Sequence, residues 1–151
     1  MMSLEELRHI LAQGETLSIE FKSDRGPLSD RELIIAIVAL ANTEGGDLFL
    51  GVEDDGQVSG LHPSHRDLTT LPALIANRTN PPLSTRVEAI EVVDKPIARI
   101  RVPKSRQLVS TSDGLLQRRR LKLDGKPEAV PFYPHEFIQR QATLGTADPS
   151  A

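Results

Sequence analysis

The chain has 151 residues, 38% of them hydrophobic, with no cysteine and no tryptophan. That length supports one core and one domain, and the missing thiols exclude a disulfide framework, a thiolate zinc site and a cysteine nucleophile. The net charge of −3 hides a division: residues 1–85 carry 6 basic and 13 acidic side chains, whereas residues 86–126 carry 11 and 5. Such asymmetry can turn a basic face toward a polyanion, although uneven surface charge gives the same totals.

One tyrosine and four phenylalanines make the core aliphatic and leave few rings on which bases could stack, which argues against an RNA-recognition sheet. No apolar run approaches the roughly 20 residues of a spanning helix. Met1 to Gln13 follows an amphipathic helical pattern rather than that of a signal peptide, so a soluble, cytoplasmic protein with no membrane contact is expected.

In chain order, Ser3-Leu4-Glu5-Glu6 has the form of a capping box, with Leu4, Leu7, Ile10 and Leu11 at helical spacing and Gly14 as a stop. Leu17 to Phe21 alternates with a period of two, sending Ser18, Glu20 and Lys22 to one face and Leu17, Ile19 and Phe21 inward. A second capping box, Ser29 to Glu32, opens a helix apolar over so wide an arc that it should be the central one. It stops before Gly45-Gly46. Asp47 to Glu53 reads as a strand leading into a hairpin turn at Asp54-Asp55-Gly56, which projects its acids outward.

A polar stretch from His62 leads to a helix from Leu71-Pro72, ended by Asn80-Pro81-Pro82. Arg86 to Val93 and Lys95 to Pro103 form two antiparallel strands, with Val87, Ile90, Val92, Ile97, Ile100 and Val102 toward the core and Arg99 and Arg101 on the opposite face. Leu115 to Leu123 is a strand turning at Asp124-Gly125, and Pro134 to Ala142 a terminal helix. The expected fold class is α+β: a mixed, mostly antiparallel sheet packed with three to four helices, residues 1–142 forming one domain and 143–151 a disordered tail. A repeated Rossmann pattern is absent.

Glu15-x-x-x-Ile19-Glu20-Phe21-Lys22, followed by Ala41-Asn42-Thr43-x-Gly45-Gly46-x-Leu48-x-Leu50-Gly51-Val52-x-Asp54-x-Gly56 with Gly60, resembles the Schlafen AlbA_2 domain family, also called the divergent AAA-4 domain. Ile100-x-Val102-x-x-Ser105 fits the same pattern, and the likeness covers about residues 3 to 140. It implies a nucleic-acid-associated domain of bacterial transcriptional regulators and of the Schlafen core. In some Schlafen proteins that core is an endoribonuclease with three carboxylates, which match Glu15, Glu20 and Asp54 here. If so, these three would be both catalytic residues and ligands of Mg²⁺ or Mn²⁺, which prefer oxygen donors and can activate water. Lys22 would neutralise phosphate. A same-face Glu20–Lys22 salt bridge on an exposed strand, worth at most about 1 kcal/mol, is the simpler alternative.

Arg99, Arg101, Lys104, Arg106, Arg118, Arg119, Arg120 and Lys122 are the candidate phosphate-contacting surface, with Arg118, Arg120 and Lys122 alternating onto one strand face. The chain departs from its relatives in having Leu116-Gln117-Arg118-Arg119-Arg120-Leu121 where many carry an aromatic-x-Arg-x-Gly-Ser element. The older family name suggests ATP, yet no Gly-x-x-x-x-Gly-Lys-Ser/Thr loop is present. His9, His62, His65 and His135 are read as surface residues; zinc on His62 and His65 would need further partners. The expectation is a DNA- or RNA-binding domain, possible as a homodimer. Its alternatives are a metal-dependent endoribonuclease, then a protein-interaction module or an unconventional ATP-binding protein.

Overall fold

The computed structural model describes residues 1–133 and 135–136. Helix α1 spans Leu4–Gln13, with Ser3 Oγ accepting from the Glu6 amide, and Gly14 ends it at φ 87°. Strand β1 (Ile19–Lys22) leads to α2 (Asp30–Ala41), capped by Ser29 through the Glu32 amide, and then to β2 (Gly46–Leu50). A 3₁₀ turn over Pro63–His65 precedes α3 (Leu71–Asn77) and the two-residue β3 (Thr79–Asn80). The remaining strands are β4 (Arg86–Val92), β5 (Lys95–Val102), β6 (Ser110–Thr111), β7 (Gln117–Leu121) and β8 (Pro127–Pro131).

The main sheet has the order β1-β2-β5-β4. β1 and β2 run parallel because α2 crosses between them, whereas β2–β5 and β4–β5 are antiparallel. The expected α+β class, with a mixed and mostly antiparallel sheet, is the one formed. β3 pairs with β6 and β7 with β8 in two small ribbons.

Both faces of the main sheet are covered. On one, α2 contributes Leu33, Ile34, Ile37, Val38, Leu40 and Ala41 to a cluster with Leu48, Leu50, Ala98 and Ile100. On the other, Leu7 of α1 packs with Phe21, Phe49, Ile90, Val92 and Ile97. The core residues expected of β4 and β5 therefore divide between two clusters, since alternate side chains of a strand point to opposite faces. The wide apolar arc of α2 reflects burial of eight of its twelve residues.

The edges of elements differ from expectation by a few residues. β1 begins at Ile19 rather than Leu17, and β2 ends at Leu50, after which Val52 makes a lone bridge to Val58 around the turn at Asp54 to Gly56. The β4–β5 turn is centred on Val93 and Asp94, both at positive φ, and β5 begins at Lys95 as expected but ends at Val102. The expected helix from Pro134 to Ala142 and the tail beyond it lie outside the described residues, apart from His135 and Glu136, which are helical. No helix among the described residues is long and apolar enough to cross a membrane.

Gly45 and Gly46 serve close approach. They sit at φ 68° and 135°, and a Cβ on Gly46 would lie 1.9 Å from the Ser18 carbonyl oxygen. Only glycine lets β2 begin against β1 there.

Candidate functional site

Glu15 lies in the turn between α1 and β1, where Thr16 and Ile19 exchange backbone hydrogen bonds. The turn folds it back over the outer edge of β1, and its Oε1 accepts from the Phe21 amide at 2.9 Å. An edge strand leaves such amides without a sheet partner, so the carboxylate satisfies one of them. This return also sets the Glu15 carboxyl beside that of Glu20. Burial, then the hydrogen bond and the charge of Glu20, push Glu15 up to about 7 from 4.5; the Phe21 amide opposes this, and the charge of Asp54 adds to it.

Glu20 stands on the β1 face shared with Leu48 and is paired with Arg119 rather than with Lys22. Arg119 is only 2% exposed. Its Nε donates to the Leu17 carbonyl at 3.0 Å and its Nη2 to the carbonyls of Thr16 and Ile19, while Nη1 meets the Glu20 carboxylate. One guanidinium thus ties together the turn that carries Glu15 and the strand that carries Glu20.

The position of Arg119 is set from the end of α2. Asn42, buried there, donates to the carbonyls of Val109 (2.8 Å) and Gln117 (2.9 Å) and accepts from the Val109 amide (2.9 Å). Thr43 Oγ1 accepts from the Arg119 amide at 2.8 Å. The Ala-Asn-Thr motif therefore docks β7 on α2, which points Arg119 at β1.

Asp54 is exposed in the hairpin turn, and its charge reaches Glu15. Its neighbour Glu53 pairs with Ser59, which holds the Glu53 carboxyl below its usual range, and lies 3.8 Å from Arg25. Lys22 is half-buried and takes part in no ion pair among the described residues, so the simple Glu20–Lys22 bridge is not formed. The structure brings Glu15 and Glu20 together with Asp54 nearby. Among the described residues, however, no three His, Asp or Glu side chains are grouped closely enough to hold a metal ion. With a guanidinium already on Glu20, the donor set does not fit Mg²⁺ or Mn²⁺.

The expected basic surface is largely neutralised. Arg99, its side chain 12% exposed, lies between Asp47 (3.2 Å) and Glu88 (3.7 Å). Lys104 faces Glu44, Arg118 Glu136, Arg120 Glu128 and Lys122 Asp124. Arg119 is inside the protein and offers nothing to solvent. Arg101 and Arg106 are exposed without an ion pair among the described residues, and β-sheet register sets Arg101 directly opposite Arg86, which is likewise exposed and unpaired. A groove of about 400 Å³ beside them is lined by Gly46, Asp47, Ser84, Val102 and Pro103.

Sequence reasoning missed Asp24. It is fully buried, accepts from the amides of Leu28 and His62 at 2.8 Å, and has both carboxylate oxygens 2.9 Å from His65 Nδ1. An aspartate two residues past a strand carries no local mark of such a role. His65 is consequently a loop anchor, and His62 turns its Nδ1 to Ser64.

An α+β domain whose edge strand carries a paired glutamate site under a buried arginine is the class of protein these features define. Residues 15–126 match the model of the Schlafen, AlbA_2 family, and the chain belongs to that family. Among solved structures, it is similar to the DIP2311 protein from Corynebacterium diphtheriae, with 21% identity and a TM-score of 0.69 over 93% of this chain and 28% of that one. This chain spans little more than a quarter of that protein. It is also similar to the N-terminal domain of a Nitrosomonas europaea protein named as related to the ATP-dependent DNA helicase RecG, with 23% identity and a TM-score of 0.53 over 74% and 82% of the two chains. Both likenesses are of fold.

Proposed function

We propose that this chain is a nucleic-acid-binding domain that holds backbone phosphates at the open end of its main sheet, through Arg86 and Arg101, with the exposed Arg106 as a further contact. The observation that carries this reading is the cross-strand pair itself. Two arginines directly opposite each other repel, which a bound anion relieves; both are exposed beside a groove, with Asp47, itself engaged by Arg99, in register on the other side of Arg101. Membership of the AlbA_2 family supports it, as does the helicase-related name of one structural neighbour. Contacts from Arg118, Arg120, Lys104 and Lys122 would require exchanging a carboxylate for a phosphate, which makes them secondary. A homodimer would double the surface, and light scattering of the free protein measures that directly.

The second reading, an endoribonuclease, is favoured by the Glu15–Glu20 pair, whose two carboxyls in contact hold a proton near neutrality. One experiment separates the two. Labelled structured RNA, single-stranded RNA and duplex DNA are incubated with the protein in Mn²⁺, Mg²⁺ or EDTA, and cleavage and retardation are scored together. Salt-sensitive retardation lost in Arg86→Ala/Arg101→Ala, without cleavage, is the expected result. Cleavage abolished by Glu20→Ala would make the domain a nuclease, and neither signal would sink the binding reading.

A further inference from the structure

We infer that the guanidinium of Arg119 is the resident cation of the Glu15–Glu20 site, so that whatever this site does in this chain proceeds without a divalent metal. The inference is independent of the nucleic-acid-binding proposal, which concerns Arg86 and Arg101 on β4 and β5.

Three observations carry it. First, each carboxylate already has a partner: Glu20 Oε2 faces Arg119, and Glu15 Oε1 accepts from the Phe21 amide. A hard dication needs about six oxygen ligands, several of them from charged carboxylates. Asp54, the third acid expected to contribute, is not close enough to complete such a group.

Second, Arg119 cannot readily step aside. Its other donors end on the carbonyls of Thr16, Leu17 and Ile19, and its amide ends on Thr43 Oγ1. Moving it out to admit a metal would break all three bonds and leave the Leu17 carbonyl without a donor among the described residues, the Thr16 and Ile19 carbonyls keeping only each other's amides. A dication entering with the guanidinium in place would meet the fixed positive charge already paired with Glu20.

Third, the cation is supplied by the fold. The arginine comes from a ribbon that touches the carboxylate turn only because Asn42 and Thr43 dock it there. The cation and the element that delivers it belong to the fold, whereas a metal site keeps ligands free for an ion from solution.

Paramagnetic titration of the full chain tests this. Mn²⁺ added to the wild-type protein should leave the free-ion electron paramagnetic resonance signal undiminished into the millimolar range, and the amide signals of Glu15, Phe21 and Glu20 unbroadened. Arg119→Gln, which keeps a donor and removes the charge, should bind Mn²⁺ at least about tenfold more tightly. The Arg119 Nε–H resonance, held by the Leu17 carbonyl, gives a second readout in the unmodified protein. It should persist at the highest Mn²⁺ concentration, and this holds whether or not the variant folds. Uptake of one Mn²⁺ by the wild type, lost in Glu20→Gln and accompanied by broadening of Arg119 Nε–H, would overturn the inference.

Discussion

At the β1 edge of the main sheet Arg119 is almost wholly enclosed and binds Glu20 and three backbone carbonyls. On β5 and β4 of the same sheet Arg101 and Arg86 stand opposite each other in solvent with no carboxylate ion pair among the described residues. Both arginines, 101 and 119, come from the one strongly basic stretch of the sequence. The first kind of arginine holds the molecule together and the second is available to a ligand, and segment charge does not distinguish them. Energetics should: removing one member of a buried, hydrogen-bonded pair strands a charge, whereas an exposed cation owes little to the folded state.

The largest expected effect follows directly. Arg119→Ala should lower the unfolding free energy by about 3–5 kcal/mol, because it strands the Glu20 carboxylate, removes the donor of the Leu17 carbonyl and breaks two further bonds to the carbonyls of Thr16 and Ile19. Urea melts followed by circular dichroism measure this. A decrease as small as that of Arg101→Ala would erase the contrast between the two regions.

Asn42→Ala should cost about 2–3 kcal/mol, since both backbone groups of buried Val109 and the Gln117 carbonyl lose their partner. It should also loosen β7, so the Arg119 Nε–H signal should exchange faster with solvent than in the wild type. An unchanged rate would mean that β7 is held by something other than the end of α2.

These two residues show where the sequence was legible. Capping boxes at Ser3 and Ser29, the apolar arc of α2 and the alternation in β4 and β5 are local signals, and each produced the element it predicts. The family resemblance, rather than the residues alone, set Glu15 and Glu20 at one site, and a turn between them returns the first to the edge of the strand bearing the second. The partner of Glu20 was not legible. Ninety-nine residues separate it from Arg119, and an Arg-Arg-Arg run gives no sign of which member points inward until β7 is docked. Asp24 is hidden for the same reason, its partners being supplied by the loop at His62 to His65.

Glu15 should give a smaller, pH-dependent effect. Its folded-state value near 7 exceeds the ordinary 4.5, so between those values the folded protein binds more protons than the unfolded chain. Stability conferred by the protonated group is then complete below about 4.5 and declines as pH rises through about 7. With screening by solvent at this partly exposed site, the decline should be about 1 kcal/mol. Glu15→Gln keeps an acceptor for the Phe21 amide and should flatten the profile. A slope of opposite sign would mean that Glu15 is charged in the folded protein and that Arg119 compensates both acids.

The smallest effect on the fold, and the sharpest on binding, should come from the open end of the sheet. Arg86→Ala and Arg101→Ala should each leave stability within about 0.5 kcal/mol of the wild type. The dependence of log affinity on log salt should become shallower by about 0.9 for each phosphate no longer neutralised on duplex DNA, or about 0.7 on single strands. Arg120→Ala should change that slope less, because its guanidinium is engaged with Glu128 at 2.9 Å. If Arg120→Ala instead reduced the slope as much as Arg101→Ala, the β7–β8 ribbon would belong to the binding surface, and the ion pairs along it would open in favour of phosphate.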